Sequence, residues 1–178
     1  MLHGSEDLSI LDMSGASQAN ITFVTGAGHR ISSDDLVGTM QQVFGENFQE
    51  GQQVEEKAKR FLDSALTFSE ASFDGVMVCD ALQFLVSPVL EETVARLLRV
   101  VRPGGLILAF FNANDKIGQL PLYSHRIQDA KTIAQVPRGG IQPARHFNNR
   151  DLEKLFEKAA SIKFFLTRDN LREVIVRR

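Results

Sequence analysis

The sequence predicts a doubly wound α/β domain, in which helices cover both faces of a mostly parallel sheet. Residues 75–79 (GVMVC) form a short apolar, β-branched run, typical of a strand buried on both faces. A helical pattern follows, and a Pro-Gly-Gly turn then leads to a second apolar run at residues 106–111. Strand, helix, turn and strand in this order make a right-handed βαβ unit, the repeating element of doubly wound domains.

The helix between these two strands is indicated by its start and by one apolar face. Ser87 and Pro88 are residue types favoured at an N-cap and in a first helical turn. The apolar residues spaced for a single buried face are Leu90, Val94, Leu97, Leu98 and Val101. A proline followed by two glycines, at residues 102–105 (RPGG), ends the helix because proline cannot continue it.

Length, charge and cysteine content narrow the classes of protein. A chain of 178 residues predicts one domain, residues 1–178, with a substantial core. The formal net charge of −2 produces no overall positive field, so we do not expect nucleic acid as a partner. The single cysteine, Cys79, excludes an intrachain disulfide and a multi-cysteine zinc site. His125 and His146 lack the spacing of metal ligands, so we expect no metal.

The sequence also bears on location. No apolar run reaches the roughly 18 to 20 residues that span a bilayer. The first ten residues (MLHGSEDLSI) have neither a basic start nor an apolar signal core, and a lone cysteine suits a reducing compartment. We therefore expect a cytoplasmic protein that does not cross a membrane.

The first third of the chain predicts two more strands. Residues 9–13 (SILDM) form a short apolar run that contains Asp12, and four small residues follow. A helical pattern fits residues 17–27 and ends at a Gly-Ala-Gly turn. Residues 30–33 begin the second strand, and Asp34 and Asp35 lie at its carboxyl end.

A third strand is expected before residue 66. The pattern is loose over residues 36–53, where we expect an irregular or partly helical connection. Residues 54–61 (VEEKAKRF) favour a charged helix that leads into a short strand at Phe61 and Leu62, followed by Asp63 and Ser64. Acids then follow three successive strands, and the carboxyl ends of strands are where an open α/β sheet binds its ligand.

These motifs resemble those of one enzyme family. A strand with the pattern "FDGV", a helix that ends in "RVVRPGG" and the apolar strand after it resemble the fourth and fifth strands of class I S-adenosylmethionine (SAM) dependent methyltransferases. The resemblance covers some forty residues well. It implies a three-layer α/β/α sandwich with seven mostly parallel strands and an antiparallel C-terminal hairpin. It also implies SAM as cofactor, S-adenosylhomocysteine as product, and methyl transfer to an O, N or S nucleophile of a small-molecule acceptor.

The same resemblance assigns residues to the cofactor. The turn after the first strand approaches the methionine part of SAM, an acid after the second strand binds the ribose hydroxyls, and the residues after the third strand meet the adenine. The residues in these places, together with one beside the methionine end, are Asp12, Ser14, Gly15, Ala16, Asp34, Asp35, Asp63, Ser64 and Cys79. Against the family's G-x-G-x-G turn, this chain has a single glycine within residues 14–18 (SGASQ).

Each assignment has a plainer alternative. Asp12 is equally a strand-end carboxylate that caps the following turn, Asp63 an ordinary turn residue, and Cys79 a small buried apolar residue. Asp80, at the end of the fourth strand, is the candidate catalytic residue, since a carboxylate beside the methyl donor can orient or deprotonate a nucleophile. Asp80 is equally a turn residue.

Residues 112–148 have little periodicity, and we expect an irregular insertion that serves as a lid or recognises the substrate. Basic residues recur in it, which indicates either an anionic substrate or a solvated face. After it, Asn149 is the expected cap of a helix, and residues 162–166 and 171–176 are expected to pair as an antiparallel hairpin.

Two other functions compete with methyl transfer. Residues 24–28 (VTGAG) are similar to a dehydrogenase turn, but the later glycines are missing and Tyr123 is not followed by a lysine four residues on. A methyltransferase-like module that binds or scaffolds without catalysis is the stronger alternative, because of the reduced glycine turn. Many relatives have helices before the first strand, and we expect none here. Their absence would leave the pocket open, or covered by a partner subunit or a second copy.

Overall fold

The computed structural model describes residues 7–178. The strands are β1 (Ser9–Asp12), β2 (Arg30–Ser33), β3 (Phe73–Cys79), β4 (Val101–Asn112), β5 (Gln119–Asp129), β6 (Thr132–Pro143), β7 (Ser161–Leu166) and β8 (Leu171–Arg177). The helices are α1 (Gln18–Gly26), α2 (Leu36–Phe44), α3 (Phe48–Gln52), α4 (Glu55–Ser64), α5 (Val89–Val100) and α6 (Asn149–Leu155). Within residues 7–178, no helix has both the length and the apolar character needed to cross a bilayer.

The central sheet has six strands in the order β2-β1-β3-β4-β8-β7. The pairs from β2 to β4 are parallel, and β8 joins both β4 and β7 in antiparallel pairing. The α/β fold class and its antiparallel C-terminal hairpin are therefore confirmed.

The expected count of seven strands is wrong by one, because the segment assigned to the third strand is helical. Phe61 and Leu62 lie inside α4. Residues 55–64 are mostly charged helix formers with two acids in the first turn, and only one fully buried side chain, Phe61, anchors them against Phe44 at a ring distance of 5.1 Å. Two apolar residues are too few to make a strand in that context.

The expected irregular connection over residues 36–53 is helical as well. Asp35 caps α2 by accepting a hydrogen bond from the Gly38 N–H, and Asn47 caps α3 through the Glu50 N–H. Met40, Phe44 and other apolar residues of α2 are buried in the main core. Capping side chains and an apolar face therefore outweigh the glycines in this segment.

The missing strand decides which face of the sheet each helix covers. The chain goes directly from β2, past β1, to β3, and a right-handed crossover in that direction lies on the face opposite α1. The core cluster on that face combines α2, α4 and α5 with Leu11, Val76 and Ile107 of the sheet. The face of α1 has its own smaller cluster, which includes Ile10, Met77 and Phe110.

We expected the segment 112–148 to be irregular. It instead forms the antiparallel β5–β6 hairpin. Pro121 pairs with Ile141 and Tyr123 with Pro137, so β6 carries extra residues at this point. Gly139 and Gly140, both with φ near +80°, form the resulting bulge. The hairpin lies on the α1 face, where Ile127 packs with Val24 and Phe110.

The C-terminal expectations hold with small shifts. The helix cap is Asn148 rather than Asn149, and it forms a reciprocal capping box with Asp151. The strands β7 and β8 pair from Ser161↔Arg177 to Leu166↔Arg172.

The helical account of residues 36–64 makes Gly51 a test position. A Cβ atom there would lie 2.6–2.7 Å from the Cα, Cβ and carbonyl oxygen of Phe44 in α2, which is closer than side-chain carbons approach. We expect Gly51→Ala to lower the free energy of unfolding by about 2 kcal/mol. The matched control is Gly26→Ala, where nothing lies within 4 Å, and stability should stay the same or rise by up to about 1 kcal/mol. Urea unfolding of both variants measures this, and equal effects would contradict the packing of α3 on α2.

Candidate active site

A bulge at the end of β3 positions the candidate catalytic residue. Met77 pairs with Leu108 and Cys79 with Ala109, so β3 advances two residues while β4 advances one. Cys79 has a φ of +50°, a conformation that costs energy for a residue with a Cβ. These two features break the alternation of the strand, and Asp80 consequently faces the cavity on the α1 side of the sheet. Cys79 is a buried member of the apolar cluster on that side.

Asp80 lies beside His125 of β5. Oδ1 of Asp80 is 3.8 Å from Nδ1 of His125, and the two side chains are 6% and 3% exposed. The His125 ring also packs against Phe110, with ring centres 5.7 Å apart. Nδ1 of His125 is buried without a hydrogen-bond partner among the described residues. Such an unpaired buried group is unusual and indicates a site for a ligand.

Burial shifts both groups away from their charged forms. Loss of hydration raises the pKa of Asp80 to about 7, although its own backbone N–H and the charge of Arg138 act in the opposite direction. Loss of hydration also lowers the pKa of His125 to about 4. At neutral pH the imidazole is therefore uncharged, and Asp80 is close to half ionised. A carboxyl group with this pKa is suited to taking up a proton.

A cavity of about 950 Å³ separates the sheet from the β5–β6 hairpin. Its floor is made by residues of β1, β3, β4 and β8, and its roof by alternate residues of the hairpin, such as His125 and Ile127. The volume lies within the range of small-molecule sites. The cavity therefore has the size, and in Asp80 and His125 the polar groups, of a substrate pocket.

The turn after β1 is held by a polar cluster that we call the Asp12 cluster: Asp12, Ser14, Asn20 and the backbone of His125 and Ile127. Oδ1 of Asp12 accepts from the Ser14 N–H at 3.0 Å and from its hydroxyl at 2.6 Å, and Oδ2 accepts from Asn20 at 2.5 Å. The Asn20 amide also donates to the His125 carbonyl at 2.9 Å and accepts from the Ile127 N–H at 2.7 Å. Asp12 is completely buried. It does cap the turn, and through Asn20 it holds the hairpin.

The acid after β2 is engaged by the hairpin as well. Arg138 donates to both carboxylate oxygens of Asp35, at 2.6 and 2.5 Å. Partial burial alone would raise the pKa of Asp35, but hydrogen bonds from Arg138 and the Gly38 N–H, with the charge of Arg138, hold the pKa below its ordinary value. Among the described residues, the Asp34 carboxylate accepts only from the adjacent Asp35 N–H, while the Asp34 carbonyl accepts from the Gly15 N–H at 2.9 Å. Ser14 forms a bridge with Asp35, which keeps the glycine turn against the end of β2.

The structure brings together some of the predicted residues and separates others. Asp12, Ser14, Gly15, Asp35, Cys79 and Asp80 lie around the carboxyl ends of β1, β2 and β3. Ala16 is exposed at the start of α1. Asp63 and Ser64 are in the last turn of α4 and exposed, and no hydrogen bond or ion pair of the described residues links them to the other acids. The helix that replaces the third strand explains their separation.

Sequence reasoning missed three residues of this region: Asn20, His125 and Arg138. The spacing of His125 was tested only against that of metal ligands. Alternate residues of its strand, His125 and Ile127, face the same side. Arg138 had been counted as one of several basic residues. Their roles depend on hairpin contacts with residues more than 100 positions away, for which the local sequence carries no signal.

The conformation described does not fit SAM in the crevice that the sequence assigned to it. Both oxygens of Asp35 are used by Arg138, and both oxygens of Asp12 are used within the Asp12 cluster. A Cβ atom on Gly15 would lie 3.5 Å from Asp35 and 3.8 Å from Arg138, so the Arg138–Asp35 pair lies beside the turn. The cavity beneath the hairpin is therefore open, whereas the acids at the ends of β1 and β2 are engaged within the protein.

The opposite pKa shifts of Asp80 and His125 can be separated by stability measurements. Because the folded pKa of Asp80 is raised, the folded state retains a proton that the unfolded state releases between about pH 4 and 7, so stability falls as pH rises through this window. The folded pKa of His125 is lowered, so its effect reduces stability as pH falls from about 6.5 to 4.

We therefore expect the stability of Asp80→Asn relative to wild type to increase from pH 4 to pH 7, on the order of 3 kcal/mol. The stability of His125→Gln relative to wild type should instead increase as pH falls from about 6.5 to 4. Denaturant unfolding at half-unit pH steps measures both. Parallel pH profiles for the two variants and wild type would show that neither group is buried as described.

Similarity to known proteins identifies the family of this chain. The family described as "Methyltransferase domain" matches residues 11–109. No curated protein matches the chain significantly. Among solved structures, a SAM-dependent methyltransferase of Methanosarcina mazei has a TM-score of 0.56 at 18% identity, over 99% of this chain and 94% of that one.

Two further structures have the same fold. A SAM-dependent methyltransferase of Clostridium acetobutylicum has a TM-score of 0.56 at 11% identity, over 99% of this chain and 85% of that one. The 1,6-didemethyltoxoflavin-N1-methyltransferase of Burkholderia thailandensis has a TM-score of 0.54 at 15% identity, over 97% of this chain and 72% of that one. Since the family match spans more than half of the 178 residues, the protein belongs to the methyltransferase domain family, and its fold is that of the class I SAM-dependent methyltransferases.

Proposed function

We propose that the protein methylates an O, N or S nucleophile of a small molecule that binds in the cavity beneath the β5–β6 hairpin. SAM is the methyl donor of its family. The observation that carries the proposal is the position of Asp80. The β3 bulge directs its side chain toward a cavity of about 950 Å³. Asp80 would orient the acceptor and take up its proton. The Burkholderia structure holds 1,6-didemethyltoxoflavin and S-adenosylhomocysteine together, which supports a small-molecule acceptor.

The cofactor crevice would be controlled by the hairpin, so that residues 112–148 act as a lid. Gly139 and Gly140 interrupt β6 with left-handed backbone and supply a hinge. Beyond this hinge the hairpin is attached by the Arg138–Asp35 ion pair, by hydrogen bonds of its backbone to Asn20 and Ser14, and by the apolar packing of Ile127. Release of these attachments would free Asp35 for the ribose hydroxyls, with Asp34 as a second acceptor nearby.

The remaining assigned residues would have smaller parts. Asp12 and Ser14 would hold the shape of the turn after β1, and Cys79 would line the methionine end as an apolar residue. Asp63 and Ser64 are too distant from this cluster in the fold to be proposed for the adenine, since they end α4 on the opposite side of the sheet. The buried free Cys79 accords with a reducing cytoplasm as the location.

A non-catalytic methyltransferase-like module is the second candidate, and one observation favours it. Asp12 and Asp35, two of the acids beside the glycine turn, accept hydrogen bonds from the protein itself on both carboxylate oxygens. A lost cofactor site would have this appearance, and so would a closed lid. SAM binding decides between the two.

The experiment is calorimetric titration of SAM and S-adenosylhomocysteine into wild type and Arg138→Gln. Because the ion pair holds the lid closed, its removal should raise the population of open protein and the apparent affinity for both ligands roughly tenfold. The matched control is Arg126→Gln, an exposed arginine of the same hairpin, which should bind as wild type does. Adding Asp35→Asn to Arg138→Gln should remove the gain, because the freed carboxylate would be lost.

The outcomes are distinct. Tighter binding in Arg138→Gln alone supports the lid and the methyltransferase function. Equal binding by wild type and both arginine variants would keep the enzyme and overturn the lid. Absence of binding by all of them at millimolar ligand, with folding verified by circular dichroism, would overturn methyl transfer in favour of the binding module.

A further inference from the structure

We propose that the inner end of the cavity binds an uncharged ring compound through one hydroxyl group, held between Asp80 and His125. The inference rests on the proposed function, since it names the chemical class of the acceptor. His125 then becomes a second residue in contact with the substrate, alongside Asp80.

The donors and acceptors at this end are complementary to a hydroxyl. The side-chain amide nitrogen of Gln135 lies 3.4 Å from Nε2 of His125, and because an amide nitrogen only donates, this contact is a hydrogen bond in the tautomer that carries the ring proton on Nδ1. That Nδ1–H has no partner among the described residues. Oδ1 of Asp80, 3.8 Å away, is an acceptor. A hydroxyl oxygen within about 2.8 Å of both can accept from Nδ1–H and donate to Asp80.

The walls indicate the rest of the molecule. Phe110 packs against the His125 ring, and the apolar side chains that line the same cavity from the sheet and the hairpin include Ile10, Met77, Leu108 and Ile127. Most of them are nearly inaccessible to solvent. A flat ring between the sheet and hairpin surfaces would bury its apolar faces against these side chains.

The charges around the cavity select against an anion, and the Nδ1–H of His125, unpaired among the described residues, selects against an ammonium group in contact with it. The acids that line it are Asp80, Asp129, Asp169 and Glu173, and Lys131 is the one basic residue within the described lining. An anion would face Asp80 without a buried cation to pair with it. Arg138, the cation nearest by charge effect, is paired with Asp35. An ammonium group has no lone pair for the Nδ1–H of His125, so a cation would leave that donor unpaired.

The same pair can hold the acceptor's proton. Breaking the O–H bond transfers the proton to a carboxylate oxygen of Asp80 and leaves the electron pair on the ligand oxygen, which Nδ1–H continues to contact. The raised pKa of Asp80 supports this role. The ionisable or charged groups that face Asp80 are His125, Cys79 and, through its charge, Arg138.

The test uses 4-nitrophenol, a ring with one weakly acidic hydroxyl, at about pH 6, where the free compound is mostly uncharged. Its phenolate absorbs at longer wavelength than the phenol. Binding to the full chain without SAM is measured by calorimetry and by the absorbance spectrum. The comparison probes are 4-nitroanisole, which lacks the hydroxyl, 4-nitrobenzoate, an anion, and 4-nitrobenzylammonium, a cation. We expect 4-nitrophenol to bind at least roughly tenfold more tightly than each of the others.

Variants locate the contact. His125→Gln should weaken 4-nitrophenol roughly tenfold while leaving 4-nitroanisole unchanged, a distinction that a merely structural role would not produce. The control is His146→Gln, an exposed histidine outside the cavity, which should bind both probes as wild type does. Asp80→Asn should bind 4-nitrophenol but show no phenolate absorbance beyond that of the free compound at the same pH, because the proton acceptor is gone.

Each result has one meaning. Preference for 4-nitrobenzoate or 4-nitrobenzylammonium would overturn the assignment to an uncharged hydroxyl compound. Equal affinity for 4-nitrophenol and 4-nitroanisole, or no change in His125→Gln, would overturn the contact with the pair. Because these measurements omit SAM, failure here leaves the SAM titration unaffected, and the converse holds as well.

Discussion

The Asp12 cluster is the interaction on which the arrangement of this protein depends. A completely buried carboxylate is tolerated only when its charge is compensated by hydrogen bonds, and Asp12 obtains them from Ser14 and Asn20. Asn20 extends the network to the backbone of β5, which is 105 to 107 residues away in the sequence. One carboxylate thereby connects the first strand, the first helix and the hairpin.

The consequences of this connection extend through the α1 face. The hairpin, once attached, covers sheet residues that no helix reaches, and it leaves a cavity instead of a packed core because its strands stand off from β4 and β8. It also brings His125 to Asp80 and excludes water from both, which is the cause of their opposite pKa shifts. Closure of the face and the chemistry of the pair thus have the same origin.

Local patterns were sufficient for most of the fold. The strands at residues 30–33 and 73–79 and the helix after Pro88 follow from β-branched runs and from helix signals that act over a few residues. The third strand failed because the two apolar residues Phe61 and Leu62 fit a helix equally well, and the contact of Phe61 with Phe44 is not visible locally. The hairpin failed because Pro121, Pro137 and the glycine pair mask its alternation, while a bulge accommodates them.

For the site, the sequence located the acids but not their partners. Asp12, Asp35 and Asp80 could be placed at strand ends because strand order dictates it. Whether such an acid is free to bind a ligand depends on contacts with other elements of the fold. Arg138 of the hairpin binds Asp35, and Asn20 of α1 binds Asp12. The carboxylate of Asp80 is instead directed toward the cavity by the β3 bulge.

The loss of one strand and the presence of the hairpin belong together. Without a third strand, α2 to α4 cross to the face opposite α1, and the α1 face keeps one helix for a six-stranded sheet. The hairpin occupies that space and carries both Arg138, which binds Asp35, and His125, which lies 3.8 Å from Asp80. In the proposed enzyme, any movement that admits SAM also displaces His125 from Asp80. Cofactor binding and the acceptor site would therefore be linked through a single element.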